Sequence, residues 1–294
     1  MEEQLWQACS DGNVEEVITL LQNSQINTNW QEPELSRTLF YCACENGHIE
    51  IVKLLLNQLD HNRVDVNKSD KFGCTPFWIA CYQDYIEIVK LLLNEKRIDV
   101  NQAISGWTPF YSACQNGHIE IVKLLLNDER VDVNEVNNDG STPFYIACQE
   151  GQIEVVKLLL KDQRVDINKA ANDSSTSCHT ACREGHIEIV KLLLNDDRID
   201  IDEPDADGQT PLWIVCQNGH IEIAKLLLND KRVNINEANK YDCTPFWIAC
   251  YKGHIEIVKL LLNDEIIDVN KATNDSATPF LIACYSGQVD IVKY

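Results

Sequence analysis

One pattern of apolar and polar residues repeats along the chain, and it predicts pairs of short helices. A copy such as TPFYIACQEG begins with a threonine that suits an N-cap and a proline that suits the first helical position. It places Phe144, Ala147 and Cys148 on one face at helical spacings, and its glycine ends the helix. The second helix, IEVVKLLLK, is apolar on nearly all sides except at Glu154 and Lys157. Such a helix must be covered on several sides.

The helix pairs are joined by segments in which apolar and polar residues alternate, as in residues 165–168. Several copies end in a turn such as Asp139-Gly140, so we expect short extended fingers that resemble β-hairpins. One helix pair cannot bury its second helix alone, and stacked copies therefore predict an all-α solenoid of helix-turn-helix units. The opening threonines are Thr38, Thr75, Thr108, Thr142, Thr176, Thr210, Thr244 and Thr278. We expect a single domain, 1–294, with units at approximately 1–36, 37–73, 74–106, 107–140, 141–174, 175–208, 209–242, 243–276 and 277–294, the last incomplete.

The two ends of the array differ. In the first unit Glu16 and Thr19 replace apolar residues of the second helix, which predicts an N-terminal cap with a polar outer side. The last unit keeps Val289 and Ile291 but stops at Tyr294 without such a cap. We therefore expect self-association, a partner, or continuation of the natural chain to cover this end.

Composition excludes several classes of protein. There are 25 Lys and Arg residues against 46 Asp and Glu, a formal net charge of -21, so the long-range field repels nucleic acid and anionic lipid. No apolar run approaches the roughly 18 residues of a membrane span, and no secretory signal opens the chain. The 13 cysteines are regularly spaced along a long chain, which predicts reduced thiols and a cytoplasmic location.

The segment from Thr108 to Asn134 is similar to ankyrin repeats in its TPxxxA opening, its glycine, its HIEIVKLLL helix and its DVN finger. The resemblance covers nine tandem copies. It implies a scaffold that binds other proteins on a concave face formed by the finger tips and the first helices, and that is rarely catalytic. The chain departs from the family by carrying Trp or Tyr where a histidine is usual, with His179 as the exception.

A helical wheel places two rows of residues opposite the buried side of the first helices. The first row includes Ile146, Ile214 and Ile248, and the second row includes Tyr82, Gln115, Gln149, Arg183, Gln217, Tyr251 and Tyr285. Exposed Ile and Tyr beside polar residues are typical of recognition surfaces, although such residues can also simply pack beside the neighbouring first helices. We predict partner binding by Tyr82, Gln115, Ile146, Gln149, Arg183, Ile214, Gln217, Ile248, Tyr251 and Tyr285.

The remaining motifs favour structural roles. A cysteine recurs in one core slot of every unit, and the histidine that follows the glycine recurs in most units, which suggests hydrogen bonding between helices. A row of arginines in the fingers, from Arg63 to Arg232, suggests solvated charges. In unit six Cys178, His179 and Cys182 lie close in sequence, but the first two point about 100° apart on a helix, so we predict no metal.

The same unit has Ser177 and Cys178 where most other units have Pro and an apolar residue, usually Phe, which predicts a soft joint. Cys74 and Cys243 precede the threonine and are candidates for exposed thiols, but no feature marks them as nucleophiles.

These observations favour a non-catalytic interaction scaffold or adaptor without a cofactor, whose partner is a basic or neutral protein segment. The alternative is a targeting array of a larger enzyme or channel whose other domain lies outside this chain.

Overall fold

The chain is built from helices that follow one another in pairs. The computed structural model describes residues 1–57 and 64–294, and there it forms two compact units, Met1–Asn138 and Asp139–Tyr294. In the first compact unit the pairs are α1 (Glu2–Asp11) and α2 (Val14–Leu21), α3 (Leu39–Glu45) and α4 (Ile49–Asn57), α5 (Pro76–Tyr82) and α6 (Ile86–Leu93), and α7 (Pro109–Asn116) and α8 (Ile119–Leu126). In the second they are α9 (Pro143–Gln149) and α10 (Ile153–Leu159), α11 (Ser177–Glu184) and α12 (Ile187–Leu194), α13 (Pro211–Asn218) and α14 (Ile221–Leu228), α15 (Pro245–Lys252) and α16 (Ile255–Leu262), and α17 (Pro279–Tyr285) and α18 (Val289–Lys293).

The predicted threonine caps start the first helices. Thr142 Oγ1 accepts a hydrogen bond from the Tyr145 amide at 3.0 Å, which satisfies one of the free N–H groups of the first turn. Unit six lacks the proline, and there Nδ1 of His179 accepts a bond from the Thr176 amide at 3.1 Å. The start of every first helix from α3 onward therefore has a threonine at its N-cap.

Within each compact unit the helix pairs stack in sequence order. First helices contact first helices, as α5 does α7 and α11 does α13, and second helices pack behind them. Phe144, Ala147 and Cys148 are fully buried, as the wheel predicts. The recurring cysteine is likewise buried in the other units except at Cys284, which is exposed in the last helix pair. The solenoid-type stacking predicted from the sequence is confirmed.

The fingers are held together by an asparagine ladder rather than by long strands. In the first compact unit Asn67 Nδ2 donates to the Arg97 carbonyl at 2.7 Å, and Asn67 Oδ1 accepts from the Asp99 amide at 2.9 Å. Asn168 makes the two equivalent contacts in the second compact unit. Each such asparagine ties the backbone of one finger to that of the next, because one amide side chain satisfies a carbonyl and an N–H group together.

The arginine row does more than face solvent, which corrects the interpretation as solvated charges. Arg198 pairs with Asp196 at 2.7 Å and also donates to the Leu160 carbonyl, at the end of α10, at 2.7 Å. Arg130 and Arg232 make equivalent bonds to the end of the second helix in the helix pair before their own. These side chains therefore satisfy the last carbonyls of that helix. Arg63 lies outside the described residues.

Candidate protein-binding face

The recurring histidine fixes the ends of the first helices. Nε2 of His186 donates to the Gln149 carbonyl at 2.8 Å, and Nε2 of His220 donates to the Arg183 carbonyl at 3.0 Å. His48, His118 and His254 make the same bond. The role predicted for these histidines is confirmed, and each bond holds the backbone of a residue in the second predicted row.

The aromatic residues that stand in the family's histidine slot also link neighbouring units. Trp78 Nε1 donates to the Trp107 carbonyl at 2.9 Å, and Trp247 Nε1 donates to the Ala277 carbonyl at 2.9 Å. His179 donates to the equivalent carbonyl, that of Gln209, at 3.0 Å. Tryptophan therefore replaces histidine without losing the hydrogen bond between units.

The second predicted row forms the accessible part of the first helices. Tyr82 and Tyr251 are 43% and 40% exposed, and Tyr285 in the last helix pair is 87% exposed. The polar members of the row, Gln115, Gln149, Arg183 and Gln217, are half-buried. We call this row the second-row face. Tyr82 and Gln115 belong to the first compact unit and the other members to the second.

The first predicted row is buried, which corrects the expectation that its isoleucines are partly exposed. Ile146, Ile214 and Ile248 retain 5%, 1% and 5% of their accessible surface. A wheel treats a helix as isolated, whereas consecutive first helices here pack side by side and cover these positions. The three isoleucines hold the stack together and cannot contact a partner without opening it.

The sequence did not single out three exposed aromatic residues of the fingers. Phe72 and Tyr241 occupy finger turns, and Trp107 directly precedes a threonine cap where other units carry Arg, Cys, Ser, Gln or Ala. The ring of Trp107 stacks on that of Tyr111, with centroids 6.4 Å apart. Comparing finger positions between units would have revealed them, because aromatic side chains are unusual at those slots.

Burial makes Cys9, Cys74 and Cys243 poor nucleophiles. Burial raises the pKa of Cys9 to about 12 and that of Cys74 to about 11, and it also raises the pKa of Cys243. A thiol with a raised pKa stays protonated at neutral pH, and the thiolate is the nucleophile. Cys74 and Cys243, left open by the sequence, are half-buried and lack the lowered pKa of a reactive cysteine.

The side chains of unit six face different partners. His179 is fully buried, and its two ring nitrogens contact the Thr176 amide and the Gln209 carbonyl. Desolvation lowers the pKa of His179. Within residues 1–57 and 64–294 no group of three or more His, Cys, Asp or Glu side chains is arranged to hold a metal ion.

Comparison with known proteins gives the chain its family. None of the helices in the described parts of the chain is long and apolar enough to cross a membrane. The family model described as ankyrin repeats (3 copies) matches residues 5–104, 96–171, 165–239 and 231–294. A search of curated proteins returns no match. Ankyrin repeats generally mediate binding between proteins and are typically non-catalytic. The repeated helix pairs and the matches along nearly the whole length show that this chain belongs to the ankyrin repeat family.

Proposed function

We propose that the protein is a non-catalytic scaffold or adaptor that binds partner proteins through its second-row face and finger tips. The observation that carries this proposal is the exposure of large aromatic side chains on rigid backbone. The Tyr82 carbonyl accepts the His118 bond at 2.9 Å, and the Tyr251 carbonyl accepts a bond from Gln288 at 3.2 Å. An exposed tyrosine on a fixed backbone supplies a large contact area at little entropic cost.

The chemistry of the titratable groups supports a binding role. The histidines that follow the first helices are engaged with backbone carbonyls, so their Nε2 atoms are not available as general bases. Burial raises the pKa of Cys9 and of the half-buried Cys74 and Cys243. Neither group therefore has the features of an activated catalytic residue.

Charge supports a basic or neutral partner segment. The formal net charge of -21 gives a negative long-range field, which accelerates encounters with positive partners and opposes acidic ones. The 13 thiols, which form no disulfide among the described residues, are compatible with the reducing cytoplasm, where we propose that the protein acts.

The test is site-directed photocrosslinking in cells that express the protein. A photoreactive amino acid is placed at Gln115, Gln149 or Gln217 on the second-row face, and at Glu120, Glu154 or Glu222 on the second helices as matched controls. All six side chains reach solvent. We expect discrete adducts from the first set only. Equal yields of the same adducts from both sets would overturn the proposed binding face.

A further inference from the structure

One aromatic arrangement occurs twice in the chain, once in each compact unit. The first triad comprises Phe72, Trp78 and Tyr82, and the second triad comprises Tyr241, Trp247 and Tyr251 at the equivalent positions five units later. Trp78 stacks on Tyr82 with centroids 5.1 Å apart, and Trp247 stacks on Tyr251 at 5.6 Å. Both indole N–H groups donate to the carbonyl that precedes the next threonine cap. The two triads are therefore versions of one local structure, and their differences are informative.

The second triad carries its own cation. Lys252 Nζ lies 5.4 Å from the centre of the Tyr251 ring, within the range of a cation–π contact. Because Trp247 stacks on one face of that ring, the ammonium takes the other. Gln83 stands in the place of Lys252 in the first triad, and no Lys or Arg lies over Tyr82 among residues 1–57 and 64–294. Tyr82 is therefore an exposed ring without a cation over it among the described residues, whereas Tyr251 has Lys252.

The next position adds negative charge to the first triad. Asp84 replaces Gly253, so the exchange of Lys-Gly for Gln-Asp makes this site more negative by two charges. Two residues of chain span at most about 7 Å, which is shorter than the screening length of about 8 Å at physiological salt. The Asp84 side chain is about half exposed. A cation on the Tyr82 ring would therefore feel this carboxylate.

Asp84 also occupies a backbone position that favours glycine. Its φ is +60°, in the left-handed region, and the equivalent residue is glycine in the other units, as at Gly117 and Gly253. A side chain in this region costs conformational energy, although Asp tolerates it better than most residues. Asp84 Oδ1 lies 3.8 Å from Nδ1 of His118, and the carboxylate also reaches solvent.

Trp107 adjoins the first triad through its backbone carbonyl, and its indole stacks on Tyr111. The turn at Ser105 and Gly106 has φ values of 51° and 83°, and Trp107 exchanges backbone bonds with Ile104 across it at 2.8 and 3.1 Å. The Trp107 carbonyl also accepts the Trp78 bond. The second triad has Ala277 at this position. The first triad therefore offers more aromatic surface, and its own lysine, Lys71, lies over the Phe72 ring with Nζ 5.2 Å from the ring centre and not over Tyr82.

We propose that the first triad, together with Trp107 and Asp84, binds a lysine or arginine side chain of an extended basic segment in the partner protein. The bound cation takes the place that Lys252 takes in the second triad, which is occupied from within the chain. This inference rests on the proposed function and names the partner chemistry of one part of the face. A flat guanidinium or an ammonium on a tyrosine ring next to a carboxylate is favoured by cation–π and Coulomb attraction together.

The test is an NMR titration of the whole chain, in which the tryptophan indoles are labelled with ¹⁵N. The probe is a capped 12-residue Gly/Ser peptide with four arginines, and the control peptide carries citrulline, the neutral analogue, at those positions. We expect the arginine peptide to shift the Trp78 and Trp107 indole signals in a saturable way. The citrulline peptide leaves these signals unchanged, and the Trp247 signal does not respond to either peptide. Equal response to both peptides, or shifts confined to other tryptophans, would overturn the proposal.

Two reciprocal variants use the natural difference between the triads. Gln83→Lys supplies a cation for the Tyr82 ring from within the chain. It should lower the affinity for the arginine peptide about 5- to 10-fold, the size of one cation–π contact. Lys252→Gln opens the second triad and should make the Trp247 signal respond. Both changes are at exposed positions and leave the buried core intact. An unchanged affinity of Gln83→Lys would contradict the assignment of the site.

Asp84→Gly separates binding from stability. It relieves the left-handed strain and so should raise resistance to unfolding, while it weakens the arginine peptide through loss of the carboxylate. A variant that binds as tightly as the parent would exclude Asp84 from the site. Failure of the peptide to bind at all, with crosslinks at Gln115 retained, would refute this inference and leave the proposed function standing.

Discussion

Replacing Asp202 by asparagine should stabilise the protein near neutral pH. Asp202 holds the ladder position that asparagine holds at Asn67 and Asn168. Its Oδ2 accepts the Asn234 amide at 2.9 Å, but its Oδ1 is buried and has no hydrogen-bond partner among the described residues. In the other rungs the corresponding atom is an N–H donor that faces a backbone carbonyl, here that of Arg232. A carboxylate cannot donate, so this rung is broken.

The size of the effect follows from the pKa. Desolvation raises the pKa of Asp202 from 3.8 to about 6, with smaller contributions from the negative charges of Glu237 and Asp200. A shift of about two units corresponds to about 3 kcal/mol of lost stability at most. The side chain is only partly buried, so solvent screening reduces this to about 1 to 2 kcal/mol. A buried donor to the carbonyl would contribute on the order of another 1 kcal/mol.

The sign of the pH dependence is fixed by the same shift. Because the folded pKa lies above the unfolded one, the folded state binds the proton more tightly between about pH 4 and pH 6. The penalty is therefore complete above about pH 6 and disappears as the pH falls towards 4, where the protonated carboxyl can donate as asparagine does. Asp202→Asn should gain most at pH 7.5, and the part of its advantage that comes from charge should shrink by about half at pH 5.

The assay is urea unfolding of parent and variant at pH 7.5 and pH 5, with hydrogen exchange of the Asn234 amide as a local readout. Asn168→Asp is the matched control, because it creates the same broken rung and should cost a similar amount at pH 7.5. Other titrating groups cancel in the difference between variant and parent. An Asp202→Asn variant no more stable than the parent at pH 7.5, or a difference independent of pH, would refute the reasoning.

Three further outcomes follow from the contacts described above. Ser177→Pro should stabilise unit six by about 1 kcal/mol, because the Ser177 hydroxyl is buried without a hydrogen-bond partner among the described residues. In the parent protein, hydrogen exchange should be faster over residues 175–195 than in units four and eight. Equal protection in these regions would count against a soft joint. Trp247→Phe should cost about 1 kcal/mol, because the Ala277 carbonyl loses the indole donor and keeps only the Thr273 amide. A urea midpoint equal to that of the parent would contradict this role. In native protein at pH 8 a disulfide reagent should modify Cys284 first, in a fast phase, because it is the exposed thiol among the described residues. Cys284→Ser should remove this fast phase. A fast phase that survives the substitution would show that a buried thiol opens readily.

The fold could be predicted from the sequence because most units repeat the same local signals. The threonine cap, the proline, the glycine and the period near 34 agree with each other, and Thr142 and Cys148 lie where those signals place them. The accessible face of the first helices could be predicted only in part. The wheel correctly excludes the core side of the first helices, but it cannot represent the neighbour that buries Ile146 and Ile214. Contacts between units, such as that of Arg198 with the Leu160 carbonyl, join residues 38 positions apart and leave no local pattern.

A tandem repeat supplies its own reference for telling structural positions from functional ones. Where a unit departs from the repeat at a position inside the hydrogen-bond network, the substitution costs stability. Asp202 lacks the donor that asparagine supplies, and Ser177 buries a hydroxyl that has no hydrogen-bond partner among the described residues. Departures that fall outside it leave the network intact: Trp107 still offers its carbonyl to Trp78, and Gln83 lies on the surface. Substitutions of the first kind change stability, and those of the second kind change what the surface can bind. The exchange of Lys252 for Gln83 at the two triads is of the second kind, and for that reason its effect should appear in binding and not in unfolding.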